Sequence, residues 1–108
     1  MTDKDVDAVF AALADSTRRA VVRSLAEHGP ATATELAGRF PVSRQAIAKH
    51  LTMLAQAGLV TVERQGREVR YQLTPEPMQG AVQWMAAVGG QWDDRLASLQ
   101  RFLGRKRT

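Results

Sequence analysis

The stretch SRQAIAKHLTMLAQAGLV, residues 43–60, decides how the rest of the chain is read. Ser43 is a helix N-cap residue and Gly58 a left-handed C-terminal stop, so the residues between them form one capped helix. At about 100° per residue, Ile47, Leu51 and Leu54 gather on one side and face a core. Gln45, Lys49, Thr52 and Gln56 gather on the other side, with Arg44 and Ala48 at the edge of that polar arc near the helix start. A helix buried on one face and lined on the other by an arginine, a lysine and small amide or hydroxyl side chains has the chemistry to read a DNA major groove.

The segments on either side supply a frame for such a helix. Upstream, Val6, Val9, Phe10 and Leu13 repeat at helical spacing over residues 4–14, and Asp15 or Ser16 caps a second helix. Val21, Val22 and Leu25 form its buried stripe, and Gly29-Pro30 ends it. Thr32 with Glu35 has the form of a capping box, opening a short helix with Leu36, Ala37 and Phe40 on its apolar side; Pro41 stops it. Downstream the period changes from helical to two. Val60 and Val62, then Val69, Tyr71 and Leu73, alternate with polar residues, so two strands joined through Gln65-Gly66 form a hairpin. The expected fold is mainly α with a small β-hairpin: a winged helix-turn-helix over residues 1–108 as one domain, closed by a long C-terminal dimerisation helix.

That last helix begins after Pro75 and Pro77. Met78, Val82, Met85, Trp92, Leu96, Leu99 and Leu103 fall on alternating four- and three-residue steps, interrupted only at Gly89. A helix of about 28 residues is about 42 Å long, more than a small domain covers by itself. These residues, joined by Val6, Val9 and Phe10 of the first helix, are therefore expected to pack on a second subunit. The alternative is a helix folded back on its own domain. Gly89-Gly90 marks either a kink or a close helix crossing.

Each candidate DNA contact follows from side-chain chemistry. Arg44 is able to donate two bonds to guanine, Gln45 to pair with adenine, and Ala48 to touch a thymine methyl. Lys49 suits a phosphate or a guanine, and Ser43 suits a phosphate at the helix N-terminus. Thr52 lies on the same polar arc. His50 lies on its flank, as a packed histidine or a phosphate contact. At the hairpin tip Arg64, Gln65, Gly66 and Arg67, with Arg70 close by, fit a grip on phosphates or the minor groove. The simpler alternative for all these charges is a solvated face and an edge hairpin protected by charge.

Composition narrows the function classes. The net charge is +4, and it is unevenly placed. Asp3, Asp5, Asp7 and Asp15 make the start acidic. Arg39, Arg44, Lys49, Arg64, Arg67 and Arg70 make the middle basic, and Arg101, Arg105, Lys106 and Arg107 add to the end. There is no cysteine, hence no disulfide and no thiolate metal ligand. No glycine-rich phosphate loop and no serine–histidine–acid set suggests an enzyme. No apolar run suits a membrane span and the acidic start is unlike a signal peptide, so a cytoplasmic location is expected.

The segment LADSTRRAVVRSLAEHGPATATELAGRFPVSRQAIAKHLTMLAQAGLV, residues 13–60, followed by the glycine-centred wing and YQL at 71–73, resembles the ArsR-type winged-helix repressors. The resemblance covers most of residues 5–74. WDDRLASLQRFL, residues 92–103, is similar to a subgroup with a tryptophan-containing last helix. The resemblance implies a homodimer built on the first and last helices, bound to an imperfect inverted repeat in double-stranded promoter DNA. It does not carry over metal sensing. Where metal sensors of the family have cysteines, this chain has ELAGRF at 35–40; where others have histidine ligands, it has Asp93 and Asp94. No metal site and no cofactor is expected. Two other functions are compatible with the pattern: a repressor gated by a hydrophobic effector between the last helices near Trp84 and Trp92, and a winged-helix protein-interaction module.

Overall fold

The computed structural model describes residues 3–106; Arg107 of the basic C-terminal run lies outside the described residues. The chain runs α1 (Asp3–Ala12), α2 (Ser16–His28), β1 (Ala31–Thr32), α3 (Ala33–Ala37), α4 (Arg44–Gln56), β2 (Val60–Gln65), β3 (Glu68–Leu73) and α5 (Glu76–Lys106). It is a winged helix-turn-helix with a long last helix, mostly helical as the periodicity implies.

The apolar stripes meet where their spacing directs them. Val9 of α1, Val21 and Leu25 of α2, Leu36 of α3, and Ile47, Leu51 and Leu54 of α4 form the core, together with Leu59, Val60 and Ala81. The helix ends are closed by local bonds. The Asp15 carboxylate accepts the Arg18 N–H at 2.9 Å. Thr32 Oγ1 accepts the Glu35 N–H at 3.1 Å, and Ser43 Oγ accepts the Ala46 N–H at 3.1 Å. The Glu35 side chain does not complete the expected box; it turns toward arginines. At the far end of α4, the Gly58 N–H donates to the Ala55 carbonyl and the Leu59 N–H to the Leu54 carbonyl, both at 3.0 Å. This is a Schellman closure; it requires the φ of +77° that Gly58 adopts, and it brings the buried Leu59 back onto Leu54.

Two differences from the sequence expectation are instructive. The sheet has three strands in the order β1-β3-β2, all antiparallel. Strand β1 is only two residues, too short to show a period; Ala31 and Thr32 pair with Tyr71 and Arg70. The hairpin turn is also displaced by one residue. Gln65 pairs with Glu68, so the two turn residues are Gly66 and Arg67 rather than Gln65 and Gly66. Gly66, at φ +63°, is the first of them, as a two-residue turn with one left-handed position demands, and among the described residues no non-glycine residue has positive φ.

Helix α5 is continuous for 31 residues through Gly89-Gly90, about 46 Å at the ordinary helical rise. Its first turns pack on the body through Met78 and the buried Ala81. Against α1, Trp84 meets Phe10 edge-to-face with ring centroids 5.7 Å apart. Beyond that contact its large apolar side chains are exposed, and a Cβ added at Gly89 or Gly90 would meet nothing within 4 Å.

Candidate nucleic-acid interface

The outer face of α4 is built as its spacing predicts. Arg44, Gln45, Ala48, Lys49 and Thr52 are exposed, while Ile47, Leu51 and Leu54 are fully buried behind them. Thr52 turns its hydroxyl back to donate to the Ala48 carbonyl at 3.0 Å. This bond ties up the hydroxyl proton and leaves the oxygen lone pairs available as acceptors. Ser43 Oγ, already accepting at the cap, retains its O–H for an outside acceptor.

The wing tip carries Arg64, Gln65, Gly66 and Arg67, all exposed. Its placement relative to α4 is the principal geometric finding. Arg44 and Arg67 line one cleft of about 560 Å³, together with the start of α3 from Thr32 to Glu35. The chain thus brings the first residue of α4, the wing tip and the N-terminal end of α3 around a common space. Thr34, exposed in that cleft, was not singled out as a site residue from the sequence; its place two residues after the cap Thr32, in the first turn of α3, was the available signal. Among the described residues, Arg44, Lys49, Arg64 and Arg67 make no ion pair or hydrogen bond within the chain.

Two residues grouped with these by sequence have other occupations. Arg70 Nη2 lies 3.0 Å from Glu68 and 3.6 Å from Glu35, which clamps the base of the wing to α3 rather than leaving a free cation. Glu35 also faces Arg39 at 3.9 Å. His50 packs inward. Among the described residues its buried Nδ1 has no hydrogen-bond partner; it lies 3.9 Å from Asp15 Oδ2. The Arg18 backbone N–H holds the Asp15 carboxyl below the usual carboxylate range; burial opposes this, and the nearby His50 and Arg18 side chains reinforce it. This contact joins the cap of α2 to the middle of α4.

The partner-facing group divides likewise. Val9 is enclosed in the chain's own core, with no surface to offer a partner, and Val6 and Met78 pack partly against that core. Phe10, Val82, Met85, Trp92, Leu96, Leu99 and Leu103 are exposed. Trp84, Val88 and Phe102 extend this apolar surface, though the regular four- and three-residue steps passed over them. Among the described residues no helix is long and apolar enough to cross a membrane.

A cationic helix face and a cationic wing tip on a three-stranded winged scaffold define a DNA-binding transcriptional regulator. The helix-turn-helix domain family matches residues 13–63. The chain is 48% identical over 67 residues to the HTH-type transcriptional regulator YuzN of Bacillus subtilis, covering 56% of this chain and 73% of that one. It is 35% identical over 77 residues to the transcriptional repressor SdpR of the same organism, covering 71% and 84% respectively. The solved structure of an ArsR-like transcriptional regulator from Rhodococcus sp. RHA1 superposes with a TM-score of 0.76 at 39% identity, over 92% of both chains. The chain belongs to the ArsR family of winged helix-turn-helix regulators.

Proposed function

We propose that this protein is a non-enzymatic, homodimeric repressor, working in the cytoplasm without a metal cofactor, that binds an inverted-repeat operator. The observation that carries this reading is the set of four cations, Arg44, Lys49, Arg64 and Arg67, without partners among the described residues, two of which, Arg44 and Arg67, line the α4–wing cleft. In each protomer α4 enters the major groove with Arg44, Gln45, Ala48, Lys49 and Thr52 toward base edges and phosphates. Ser43 and the wing tip, Arg64 to Arg67, hold the backbone. The exposed apolar side of α5, with Phe10, supplies the pairing surface, which supports presentation of two recognition helices about one DNA turn, roughly 34 Å, apart. The lack of cysteine removes the thiolate sites on which soft-metal sensing depends.

The test is footprinting on the region upstream of the protein's own gene, with a salt titration and sedimentation of the free protein. A protected inverted repeat and a two-subunit particle are expected, with a logarithmic salt slope near −5 to −7 for about six to eight phosphate contacts. Replacing Arg44 and Lys49 together with alanine is expected to abolish specific protection and leave the dimer intact. Normal protection by that double variant would refute the assignment of α4.

A further inference from the structure

A second cationic site lies away from the α4–wing cleft. Between α2 and the segment that follows α3 is a cavity of about 520 Å³, lined by Arg19, Arg23, Ser24, Glu27, Arg39 and Phe40, with His28 at one end. It shares no residue with the Arg44–Arg67 cleft or with the outer face of α4. Three arginines and one glutamate, Glu27, line it, all four exposed.

Each arginine retains donors for a ligand. Arg19 gives one bond, at 2.7 Å, to the Leu13 carbonyl. Arg39 Nη1 gives one at 2.9 Å to Ser24 Oγ, and its Nη2 lies 3.9 Å from Glu35. Arg23 has no partner among the described residues. A guanidinium carries five N–H donors in a fixed fork, so these contacts orient Arg19 and Arg39 without exhausting them. Ser24 is 8% exposed, and its hydroxyl anchors Arg39 at the cavity wall. Ala20 and Phe40 add an apolar portion to the lining. Three arginines lining one space, two of them held by hydrogen bonds within the chain, suit a dianion with several acceptor oxygens, and Ala20 and Phe40 offer an apolar surface to an organic remainder.

We infer that this cavity binds a small phosphate-bearing molecule and that its occupancy is read by the DNA-binding face. Arg39 and Phe40 immediately precede the Pro41-Val42 turn into the Ser43 cap of α4, so a ligand held jointly by α2 and Arg39 fixes that turn. The regulatory part rests on the DNA-binding reading; the binding part does not, and is tested on protein alone.

The probes are inorganic phosphate and phenyl phosphate, titrated at constant ionic strength against isotopically labelled, DNA-free protein by amide and arginine Nε NMR. Saturable shifts confined to Arg19, Arg23, Ser24 and Arg39 and their neighbours are expected, with phenyl phosphate the tighter ligand. Arg23→Ala is expected to weaken binding about tenfold, the cost of one charge-assisted bond, while Arg44→Ala has no effect. An unsaturable response, or equal weakening by Arg44→Ala, overturns the site. In the second arm, phenyl phosphate is expected to change DNA affinity in the native protein but not in Arg23→Ala. An unchanged affinity in the native protein overturns the regulatory coupling. If Arg23→Ala lowers DNA affinity without added phosphate and reduces the salt slope by about one, the cavity holds the DNA backbone and the small-molecule assignment fails.

Discussion

The body of the protein and the distal part of its last helix treat the same kinds of side chain in opposite ways. In the body, from α2 to β3, Leu36, Ile47, Leu51, Leu54 and Leu59 are fully buried, and the starts of three helices are closed by Asp15, Thr32 and Ser43. From Val82 to Leu103, residues of equal hydrophobicity lie open, Trp92 being 59% exposed. Apolar surface of that extent on a single helix is costly in water unless something covers it. The body, with Val9 of α1 and Ala81 of α5, encloses its apolar residues within the chain, whereas the distal helix leaves its own open.

The largest expected effect lies in the body. Leu51→Ala leaves a cavity beneath the DNA-facing helix and is expected to cost about 2–5 kcal/mol in urea unfolding, independent of protein concentration. Leu96→Asp with Leu99→Asp is expected to act differently. The body should retain its circular-dichroism spectrum while sedimentation shows single subunits and operator affinity falls about a hundredfold, through loss of the paired half-site. A double variant that still sediments as a pair would break the comparison, since the open face would then not be what joins the subunits.

Within the body, Lys49→Ala and Arg70→Ala sharpen the distinction between free and engaged cations. Lys49→Ala is expected to lower DNA affinity and the salt slope by about one. Arg70→Ala, which removes the clamp to Glu35 and Glu68, is expected to weaken binding with the slope unchanged, because a strut is lost and not a phosphate contact. A drop in slope for Arg70→Ala would return that residue to the DNA surface. Ser43→Ala is expected to cost about 1 kcal/mol of stability through loss of the α4 cap.

The smallest effect is a pH dependence at the cap of α2. Because the Asp15 carboxyl is held below its ordinary value, its contribution is complete above the unfolded carboxylate pKa, about 3.9, and is lost as pH falls through the lower folded value. Urea midpoints between pH 6 and 3 should therefore fall less for Asp15→Asn, which still caps, than for the native chain.

How much of this was visible in the residues follows from the range of each interaction. The caps at Asp15, Thr32 and Ser43 and the two faces of α4 are set by neighbours three or four positions away, and the sequence displays them directly. So is the apolar spacing of distal α5, although Trp84, Val88 and Phe102 lie open outside the regular steps. The roles of Arg70 and His50 were not legible. Glu35 lies 35 positions from Arg70 and Asp15 35 positions from His50; Glu68 stands only two residues from Arg70, but a cation near a wing looks the same whether or not a distant acid also faces it. Strand β1 was hidden for a related reason: two residues carry no period, and only pairing with Tyr71 and Arg70 makes them a strand. Val9 shows the reverse limit, since helical spacing identifies an apolar stripe without saying whose interior it enters.

The C-terminal end of α1 has no basic residue of its own to meet its last carbonyls. Instead Arg18 reaches over from α2 to the carbonyls of Ala12, at 2.6 Å, and Ala11, at 3.2 Å, and Arg19 to that of Leu13, at 2.7 Å. These bonds rivet α1, on which Trp84 of α5 leans, to the helix that carries the core. Sliding α1 past α2 would detach all three at once. The end of α1 is thereby anchored to α2, and the long arm that leans on α1 through Trp84 shares that anchorage.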